Sequence, residues 1–228
     1  MNRTGARMFD ASKVIALIPA YREERYISDV VRRVKARLNN VLVIDDGSPD
    51  ETTPLAREAG AEVIIHPRNL GKGAAIKTGF NALLKREFEY VIILDGDGQH
   101  LPEEIDRFLA AAAEIPAEIY IGNRMGNVAR MPWVRRLANR FMSWQISRLC
   151  RHSVPDTQCG FRMIRRELLP GLFCESNAFD YETEMLLIAG RAGHRISSIP
   201  ITTVYGDEVS KINPIRDGIR FFKLIARY

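Results

Sequence analysis

The run Val91-Ile92-Ile93-Leu94-Asp95-Gly96-Asp97-Gly98-Gln99 joins an apolar stretch to two carboxylates one residue apart. A short apolar run bounded by turn residues predicts a buried strand. Side chains alternate along an extended chain, so Asp95 and Asp97 point the same way, and Gln99 adds a neutral oxygen. Mg²⁺ is usually held by one or two carboxylates together with substrate phosphates. The stretch therefore predicts either a site for a hard divalent cation or a polar turn built from Asp and Gly.

Short β-rich runs and helical patterns alternate through the first half of the chain. In the order strand, helix, strand, helix, strand, helix, strand, they cover residues 13–19, 23–38, 41–45, 51–59, 62–66, 73–85 and 90–95. Strict alternation predicts an α/β fold, namely a Rossmann-like, mostly parallel sheet with helices on both faces. In such sheets, ligands bind beyond the carboxyl ends of the strands.

Polar clusters follow three of the predicted strands, at residues 19–23, 45–48 and 95–99. We expect all three at the ligand-binding edge of the sheet. The first strand-to-helix turn lacks G-x-G-x-x-G, which disfavours a classical dinucleotide fold. Gly71-Lys72-Gly73 does not have Walker A spacing. It indicates either a helix start with a solvated lysine or a direct phosphate contact.

The length and charge of the chain limit its class. Its 228 residues suffice for one domain with its own core, and the formal charge of +5 favours nucleotides, anionic lipid surfaces or nucleic acid as partners. Cys150, Cys159 and Cys174 form no even disulfide set, which favours reduced thiols in a cytosolic compartment. No apolar segment reaches the roughly 20 residues of a membrane span, and residues 1–11 lack a signal-peptide core. We therefore expect a soluble or peripheral protein.

The second half contains two basic helical patterns with aromatic residues, at residues 132–149 and 215–228. Four apolar residues of the first pattern share one helix face: Trp133, Leu137, Phe141 and Trp144. They are interleaved with six arginines: Arg130, Arg135, Arg136, Arg140, Arg148 and Arg151. Such a helix is typical of an interfacial membrane element. The alternative is an ordinary core stripe with a solvated basic face.

Seven motifs together resemble family 2 glycosyltransferases with the GT-A fold, and within them the dolichol-phosphate mannosyltransferase-like group that loads sugars onto polyprenyl phosphates. The motifs are IPAYRE (18–23), VIDDGSPD (43–50), NLGKG (69–73), DGDGQHLP (95–102), GNR (122–124), DTQCGFR (156–162) and ETEM (182–185). The resemblance covers nearly the whole chain. It implies a single GT-A domain over residues 1–228, with a nucleotide-sugar-binding half (1–122) and an acceptor-side half (123–228).

On the donor side, the resemblance implies that Pro19, Tyr21 and Glu23 line the nucleoside pocket. Asp46 would accept a hydrogen bond from the base. Lys211 would contact the donor from a late loop that closes over it. That loop is longer here than the Tyr-Gly-Glu-Ser-Lys form of the mannosyltransferases.

The resemblance also implies that Asp95, Asp97 and Gln99 hold Mg²⁺ or Mn²⁺ on the donor pyrophosphate, with Arg124 and Arg136 near the phosphates. The leaving diphosphate must be neutralised as the bond from the sugar C1 to oxygen breaks, and a metal with cationic side chains does this. We therefore predict Asp97 and Arg124 as catalytic residues.

On the acceptor side, Ser210 is predicted to bind the acceptor phosphate together with Arg124 and Arg136. Glu184 is predicted as a catalytic residue that orders the acceptor-side arginines, and the alternative is a structural ion pair. A polyprenyl phosphate arrives already ionised, so its site needs positive charge more than a base. A sugar hydroxyl would instead need a carboxylate base.

The leading hypothesis is an inverting, metal-dependent glycosyltransferase, peripheral on the cytosolic membrane face. It would move a sugar from GDP-mannose, a UDP-hexose or a UDP-N-acetylhexosamine to dolichyl or undecaprenyl phosphate. One alternative is transfer to a soluble or glycan hydroxyl. Another is a non-catalytic basic module that binds nucleic acid, which the clustered carboxylates disfavour, so no nucleic acid partner is expected. The sequence leaves open a separate membrane subunit.

Overall fold

The computed structural model describes residues 10–125, 133–150, 152–176, 180–202 and 221–228, with the backbone alone for 133–135. The predicted residues Ser210 and Lys211, and most of the predicted terminal helix, lie outside these ranges. Within them, the strands are β1 Val14–Ala20, β2 Asn40–Asp45, β3 Glu62–Ile65, β4 Tyr90–Ile93, β5 Ile119–Asn123, β6 Arg162–Arg165 and β7 Ile196–Pro200. The α-helices are α1 Ile27–Lys35, α2 Thr52–Glu58, α3 Lys72–Leu83, α4 Ile105–Glu114, α5 Trp133–Cys150 and α6 Asp180–Arg191.

The strands form one sheet in the order β3-β2-β1-β4-β6-β5-β7. The pairs β1–β2, β1–β4, β2–β3 and β5–β7 are parallel, which confirms the prediction of a mostly parallel sheet. Strand β6 runs antiparallel to both of its neighbours, β4 and β5. Since β6 comes from the second half of the chain and β4 from the first, a single sheet joins the two predicted halves.

Helices cover both faces of the sheet, as predicted. A Cβ added to Gly79 of α3 would lie 2.4 Å from Leu17 Cδ1, so α3 packs directly on that side chain. A Cβ added to Gly96 would instead lie 3.5 Å from Ile18 of β1 and 3.3 Å from Ile27 of α1, so these two side chains share one face of the sheet. Because successive strand residues point to opposite faces, α1 and α3 lie on opposite sides of β1.

Two differences between predicted and observed boundaries lie at the ligand-binding edge. Strand β4 ends at Ile93, so Asp95 lies in the following loop, which turns through Gly98 at φ 73°. Helix α1 begins at Ile27 and not at Glu23. The residues before it form a turn in which Arg22 has φ 60°, a left-handed conformation that a helix cannot contain.

The helices α5 and α6 of the second half pack closely on each other. A Cβ at Gly190 of α6 would lie 2.4 Å from Cys150 Cβ on α5, so this approach requires glycine. No helix in the described part of the chain is both long and apolar enough to span a bilayer.

Candidate active site

The ends of β1, β2 and β4 bring the three polar clusters together, as the sequence predicts. Ala20 pairs with Asp45, and the Asp46 N–H donates to the Ala20 carbonyl at 2.8 Å. On the other side, Leu17 of β1 pairs with Ile93, directly before the loop of Asp95. The carboxyl edge of the sheet therefore gathers the carboxylates of two strands beside the turn that follows the first.

The loop after β4 holds the two predicted metal-binding carboxylates. Oδ1 of Asp97 accepts a hydrogen bond from the Gln99 N–H at 3.0 Å, which closes a tight turn. Gly98 packs on the ring of Tyr26, with room for no larger residue at its positive φ. The Asp95 N–H donates to Nδ1 of His100 at 3.3 Å. These contacts hold the loop of residues 95–100 in place and keep Asp95 and Asp97 at the carboxyl edge of the sheet.

Lys72, the first residue of α3, reaches into this loop. Its Nζ lies 2.5 Å from Oδ1 of Asp95 and 3.0 Å from Oε1 of Glu182, and its side chain is only 15% exposed. Burial lowers the pKa of Lys72, but the two carboxylates outweigh burial and hold it above its ordinary value. Burial raises the pKa of Asp95, but Lys72, His100 and Arg124 together outweigh burial, so the pKa of Asp95 is lowered. The alternative of a solvated lysine is therefore wrong, because Lys72 is a largely covered cation between two anions.

Glu182, and not the predicted Glu184, contacts this group. The two residues are about 200° apart around α6, so their side chains leave the helix on opposite sides. Oε2 of Glu184 accepts from the Ser176 N–H at 3.0 Å, and its Oε1 accepts from the Tyr228 hydroxyl at 3.3 Å. The arrangement favours Glu182 as the glutamate of the site.

Gly160 closes the site from the loop before β6. A Cβ at this position would lie 2.9 Å from Lys72 Nζ, 3.0 Å from Asp95 Oδ2 and 3.1 Å from Glu182 Oε1. We call Lys72, Asp95 and Glu182 the charge cluster. A methyl group at this position would therefore force the charged ends of the cluster to shift.

His100 supports the loop as a neutral ring. It is buried, and its ring centroid lies 5.3 Å from that of Phe161. Burial lowers the pKa of His100 to about 4, against the opposing effect of Asp95. A neutral Nδ1 can accept the hydrogen bond from the Asp95 N–H.

The carboxylate of Asp46 organises the loop that leads to α3. Its Oδ1 accepts from the Leu70 N–H at 2.9 Å and contacts His66 Nδ1 at 2.7 Å, and its Oδ2 accepts from the Gly71 N–H at 2.8 Å. Asp46 is 2% exposed. A contact with the nucleobase stays a prediction, and the structure adds the role of holding residues 66–71.

The turn after β1 is held by hydrogen bonds to Ser48 of the second polar cluster and to Thr52 of α2. The Arg22 N–H donates to Ser48 Oγ at 2.9 Å, and the Glu23 N–H donates to Thr52 Oγ1 at 2.8 Å. Pro19 is buried within β1, whereas Tyr21 is half-buried beneath the Arg22 guanidinium at 5.3 Å. The predicted nucleoside pocket therefore has its residues on a fixed turn, and their roles stay predictions.

Arg124 follows β5 and forms a two-point ion pair with Asp156. Its Nε lies 2.7 Å from Oδ2 and its Nη2 2.9 Å from Oδ1. The Asp156 side chain is fully buried. The loop that carries Asp156 is held in turn by Arg162, whose buried guanidinium donates to the carbonyls of Thr157, Cys159 and Glu182. The motif from Asp156 to Arg162 thus pins its own loop and orients Arg124.

A basic groove runs along α5 beside this pair. Its volume is about 370 Å³, and its lining residues are Met125, Arg136, Arg140, Ser143, Trp144, Ser147, Ser153, Val154 and Pro155. Two of these are chain neighbours of Arg124 and Asp156. The groove continues past Trp144 to Arg148 and His152. These lining residues include arginine, serine and tryptophan but no carboxylate.

The apolar face of α5 is exposed, contrary to the alternative of a core stripe. Leu137 is 63% exposed, and Phe141 and Trp144 are 44% and 56% exposed. Phe222, 57% exposed, lies with its ring centroid 6.4 Å from that of Phe141, which is 6.3 Å from Trp144. We call Phe141, Trp144 and Phe222 the aromatic cluster. The side chain of Trp133 lies outside the described residues.

The oxygen ligands at the carboxyl edge suit a hard divalent ion that is coordinated partly by the protein and partly by a substrate. The described residues contain no group of three His, Cys, Asp or Glu side chains that could hold a metal by themselves. Asp95 and Asp97, with an amide at Gln99, match the one or two carboxylates that Mg²⁺ takes beside phosphate oxygens.

The three cysteines take no part in this site. Cys150, Cys159 and Cys174 are free and buried. Burial raises the pKa of the Cys150 thiol to about 11, and that of Cys159 and Cys174 to about 12. These raised pKa values favour protonated, weakly nucleophilic thiols at neutral pH.

Comparisons with known proteins agree with this arrangement of the carboxyl edge. The family model described as glycosyl transferase family 2 matches residues 15–173. The UDP-N-acetylglucosamine–dolichyl-phosphate N-acetylglucosaminyltransferase of Methanococcus voltae is 30% identical, over 86% of this chain and 87% of that protein. The polyprenol monophosphomannose synthase of Mycolicibacterium smegmatis is also 30% identical, over 83% and 77%.

A solved structure shares the fold. Glucosyl-3-phosphoglycerate synthase from Mycobacterium tuberculosis, in complex with Mn²⁺, uridine diphosphate and phosphoglyceric acid, superposes with a TM-score of 0.73. It is 19% identical, and the match covers 94% of this chain and 76% of that one. Taken with the family match, the GT-A fold and the carboxylates at its edge, these similarities identify the chain as a member of the family 2 glycosyltransferases.

Proposed function

We propose that this glycosyltransferase moves a sugar, with inversion, from a nucleotide diphosphate sugar to a polyprenyl phosphate. The observation that carries the proposal is the basic groove along α5, which lies beside the Arg124–Asp156 pair and has no carboxylate among the lining residues that the structure describes. Such a groove suits an acceptor that is already an anion. A hydroxyl acceptor would need a base within hydrogen-bond reach.

The donor would bind at the carboxyl edge of the sheet. Tyr21, Glu23 and Asp46 would form the nucleoside pocket, while Asp95 and Asp97, with Gln99, would hold Mg²⁺ or Mn²⁺ on the diphosphate. When bound, the metal neutralises the leaving diphosphate. Lys72 and the α3 start lie beside this position, so a cation of the chain itself is available to the same phosphates.

The acceptor phosphate would meet Arg124 at the mouth of the groove. The buried carboxylate of Asp156 holds the guanidinium plane, so Arg124 is oriented before the acceptor arrives. Arg136 and Arg140 would attract the phosphate along the groove. Two relatives carry names that include a dolichyl-phosphate or a polyprenol acceptor, and this supports the same acceptor class here.

The aromatic cluster would seat the enzyme on a membrane surface. Exposed Trp and Phe rings beside arginines are the composition of interfacial elements, in which rings enter the headgroup region and cations meet anionic lipids. Arg148 lies with its guanidinium 6.0 Å from the Trp144 ring, so charge and ring occupy the same surface. Peripheral contact at the cytosolic face would bring a lipid phosphate to the groove.

The test is release of UDP or GDP from a panel of nucleotide sugars with Mg²⁺ or Mn²⁺, with and without a short polyprenyl phosphate. We expect lipid-dependent turnover that Asp97→Ala abolishes and Arg140→Gln weakens. Turnover that ignores the lipid would move the acceptor to a hydroxyl. No turnover with any donor would contradict the proposal.

Flotation with liposomes tests the membrane contact separately. The variant Phe141→Ser/Trp144→Ser should bind anionic liposomes less than the wild type, whereas Ile65→Ser, an exposed apolar residue on β3, should not change binding. Equal flotation of all three proteins would rule out the aromatic cluster as the contact.

A further inference from the structure

Lys72 occupies the place where a cation bound to Asp95 would be expected. Its Nζ contacts Oδ1 of Asp95 at 2.5 Å, and its second anionic partner, Glu182, is 7% exposed. Lys72 therefore contacts both carboxylates of the charge cluster, where its own side chain is 15% exposed and that of Asp95 is 26% exposed. Two carboxylates and one ammonium leave this cluster with a net charge of −1.

A divalent ion and an ammonium compete for the same carboxylate. A metal on Asp95 would stand within a few ångströms of Lys72 Nζ, and like charges at that distance repel strongly where the dielectric is low. Gly160 faces both groups, since a Cβ at this position would lie 2.9 Å from Lys72 Nζ and 3.0 Å from Asp95 Oδ2, so the loop of Gly160 limits the space around the pair. Metal binding therefore requires Lys72 to leave Asp95, with Glu182 still in reach and room for a new anionic partner.

The donor diphosphate can be that partner. Lys72 opens α3 directly after Gly71, whose N–H is held by Asp46 at the edge of the predicted nucleoside pocket. A diphosphate bound on Asp95 and Asp97 through a metal would lie within reach of the Lys72 side chain, which has four rotatable bonds.

We propose that Lys72 is a positioning residue that occupies the carboxylate of Asp95 until the donor arrives, so that the metal binds tightly only with the nucleotide diphosphate. The proposal rests on the proposed function, because it takes the donor to be a nucleotide diphosphate sugar. It makes Lys72 the group that couples the two ligands. By linkage, the same coupling strengthens nucleotide binding when metal is present.

The decisive measurement is Mn²⁺ binding in the absence of nucleotide. Metal and diphosphate bind each other directly, so synergy in the wild type does not by itself reveal Lys72. A variant that lacks the Lys72 ammonium does reveal its effect, because only the competing cation has been removed. Titrations followed by the electron paramagnetic resonance signal of free Mn²⁺ should show Lys72→Met binding Mn²⁺ about 5- to 150-fold more tightly than the wild type without nucleotide, the range typical of coupled sites.

Three further variants complete the design. Lys72→Arg keeps a cation beside Asp95 and should stay near the wild type. Lys77→Met removes a half-buried lysine from the same helix, one that contacts the Cys174 carbonyl instead of a carboxylate, and should also bind as the wild type does. If Lys72→Met fails to fold, Lys72→Gln, which removes the charge but keeps a hydrogen-bond donor, should show the same tighter binding.

The outcomes separate this inference from the proposed function. In the presence of UDP or GDP, the wild type should bind Mn²⁺ tightly, and Lys72→Met should gain less from the nucleotide. If the wild type binds Mn²⁺ with nucleotide but Lys72→Met without nucleotide binds no more tightly than the wild type, Lys72 does not compete and the inference fails alone. If no protein binds Mn²⁺ with either nucleotide, the proposed donor site is wrong and the inference falls with it.

Discussion

Arg124 and Asp156 form a two-point ion pair beside the basic groove, with Nε–Oδ2 and Nη2–Oδ1 distances of 2.7 and 2.9 Å. The same carboxylate accepts from the Arg124 N–H at 3.1 Å, so it fixes both the backbone and the guanidinium. The pair joins the end of β5 to the loop before β6. A planar guanidinium held at two points has one orientation, which a lysine at this position would not have.

Asp156→Asn should therefore cost more stability than loss of a surface charge. The substitution leaves a partly buried guanidinium without its anion, and breaking a buried pair typically costs about 3–5 kcal/mol. Urea unfolding measures the change. Glu175→Gln is the matched control, since Glu175 pairs with Arg227 in solvent and should change the free energy of unfolding by at most about 1 kcal/mol. Similar losses in both variants would show that the Arg124 pair is not special.

Gly160→Ala should disturb the charge cluster although it adds one methyl group. The new Cβ would lie 2.9–3.1 Å from Lys72 Nζ, Asp95 Oδ2 and Glu182 Oε1, closer than packed atoms tolerate. We expect a loss of about 1–3 kcal/mol in the free energy of unfolding, as for other overpacked sites, together with weaker Mn²⁺ binding in the presence of nucleotide.

The control for Gly160→Ala is Gly171→Ala. A Cβ at Gly171 meets nothing within 4 Å, so this variant should keep the stability and the metal affinity of the wild type. Thermal unfolding and Mn²⁺ titration of both variants give the comparison. If Gly160→Ala changed neither the stability nor the Mn²⁺ affinity, the loop of Gly160 would be able to move away from the charge cluster at little cost.

Much of this arrangement could be predicted from sequence because its causes are local. Alternation of strands and helices follows from hydrophobic periods, and the position of Asp95 and Asp97 follows from the end of an apolar run. Parallel strands then place their ends at one edge of the sheet, so the three polar clusters had to meet. No knowledge of distant contacts was needed for these steps.

The partners of individual side chains could not be predicted in that way. Spacing along α6 shows that Glu182 and Glu184 face apart, but which of them meets the site depends on how α6 packs against α3 and the loop of Gly160. Lys72 likewise gives no local sign that two carboxylates surround it. The exposure of Phe141 depends on what packs against α5, since the same spacing would serve a buried face equally well.

His100 should make the stability of the protein fall as the pH falls below about 6.5. Its pKa is lowered to about 4 in the folded protein, whereas an unfolded histidine titrates near 6.5, so the unfolded chain takes up a proton first. The resulting loss in the free energy of unfolding is absent above about pH 7. It reaches about 3 kcal/mol near pH 4, because the folded and unfolded pKa values of His100 differ by about 2.5.

The measurement for His100 is the free energy of unfolding as a function of pH for the wild type and His100→Asn. The difference between the two curves should change by about 3 kcal/mol between pH 7 and pH 4, with the wild type losing more. Parallel curves for His100→Asn would show that this histidine does not stay neutral in the folded protein.

Glu182 and Glu184 should respond differently to the same substitution. Glu182→Gln removes an anion that contacts Lys72 beside Asp95, and changes at groups that orient a metal ligand typically cost about 10- to 100-fold in activity or metal affinity. Glu184→Gln instead weakens the acceptor of the Ser176 N–H and the Tyr228 hydroxyl, so it should lower the free energy of unfolding by about 1–3 kcal/mol and leave kcat nearly unchanged. Steady-state kinetics and urea unfolding of both variants separate these effects. A large loss of kcat in Glu184→Gln, with Glu182→Gln unaffected, would restore the catalytic role that the sequence assigns to Glu184.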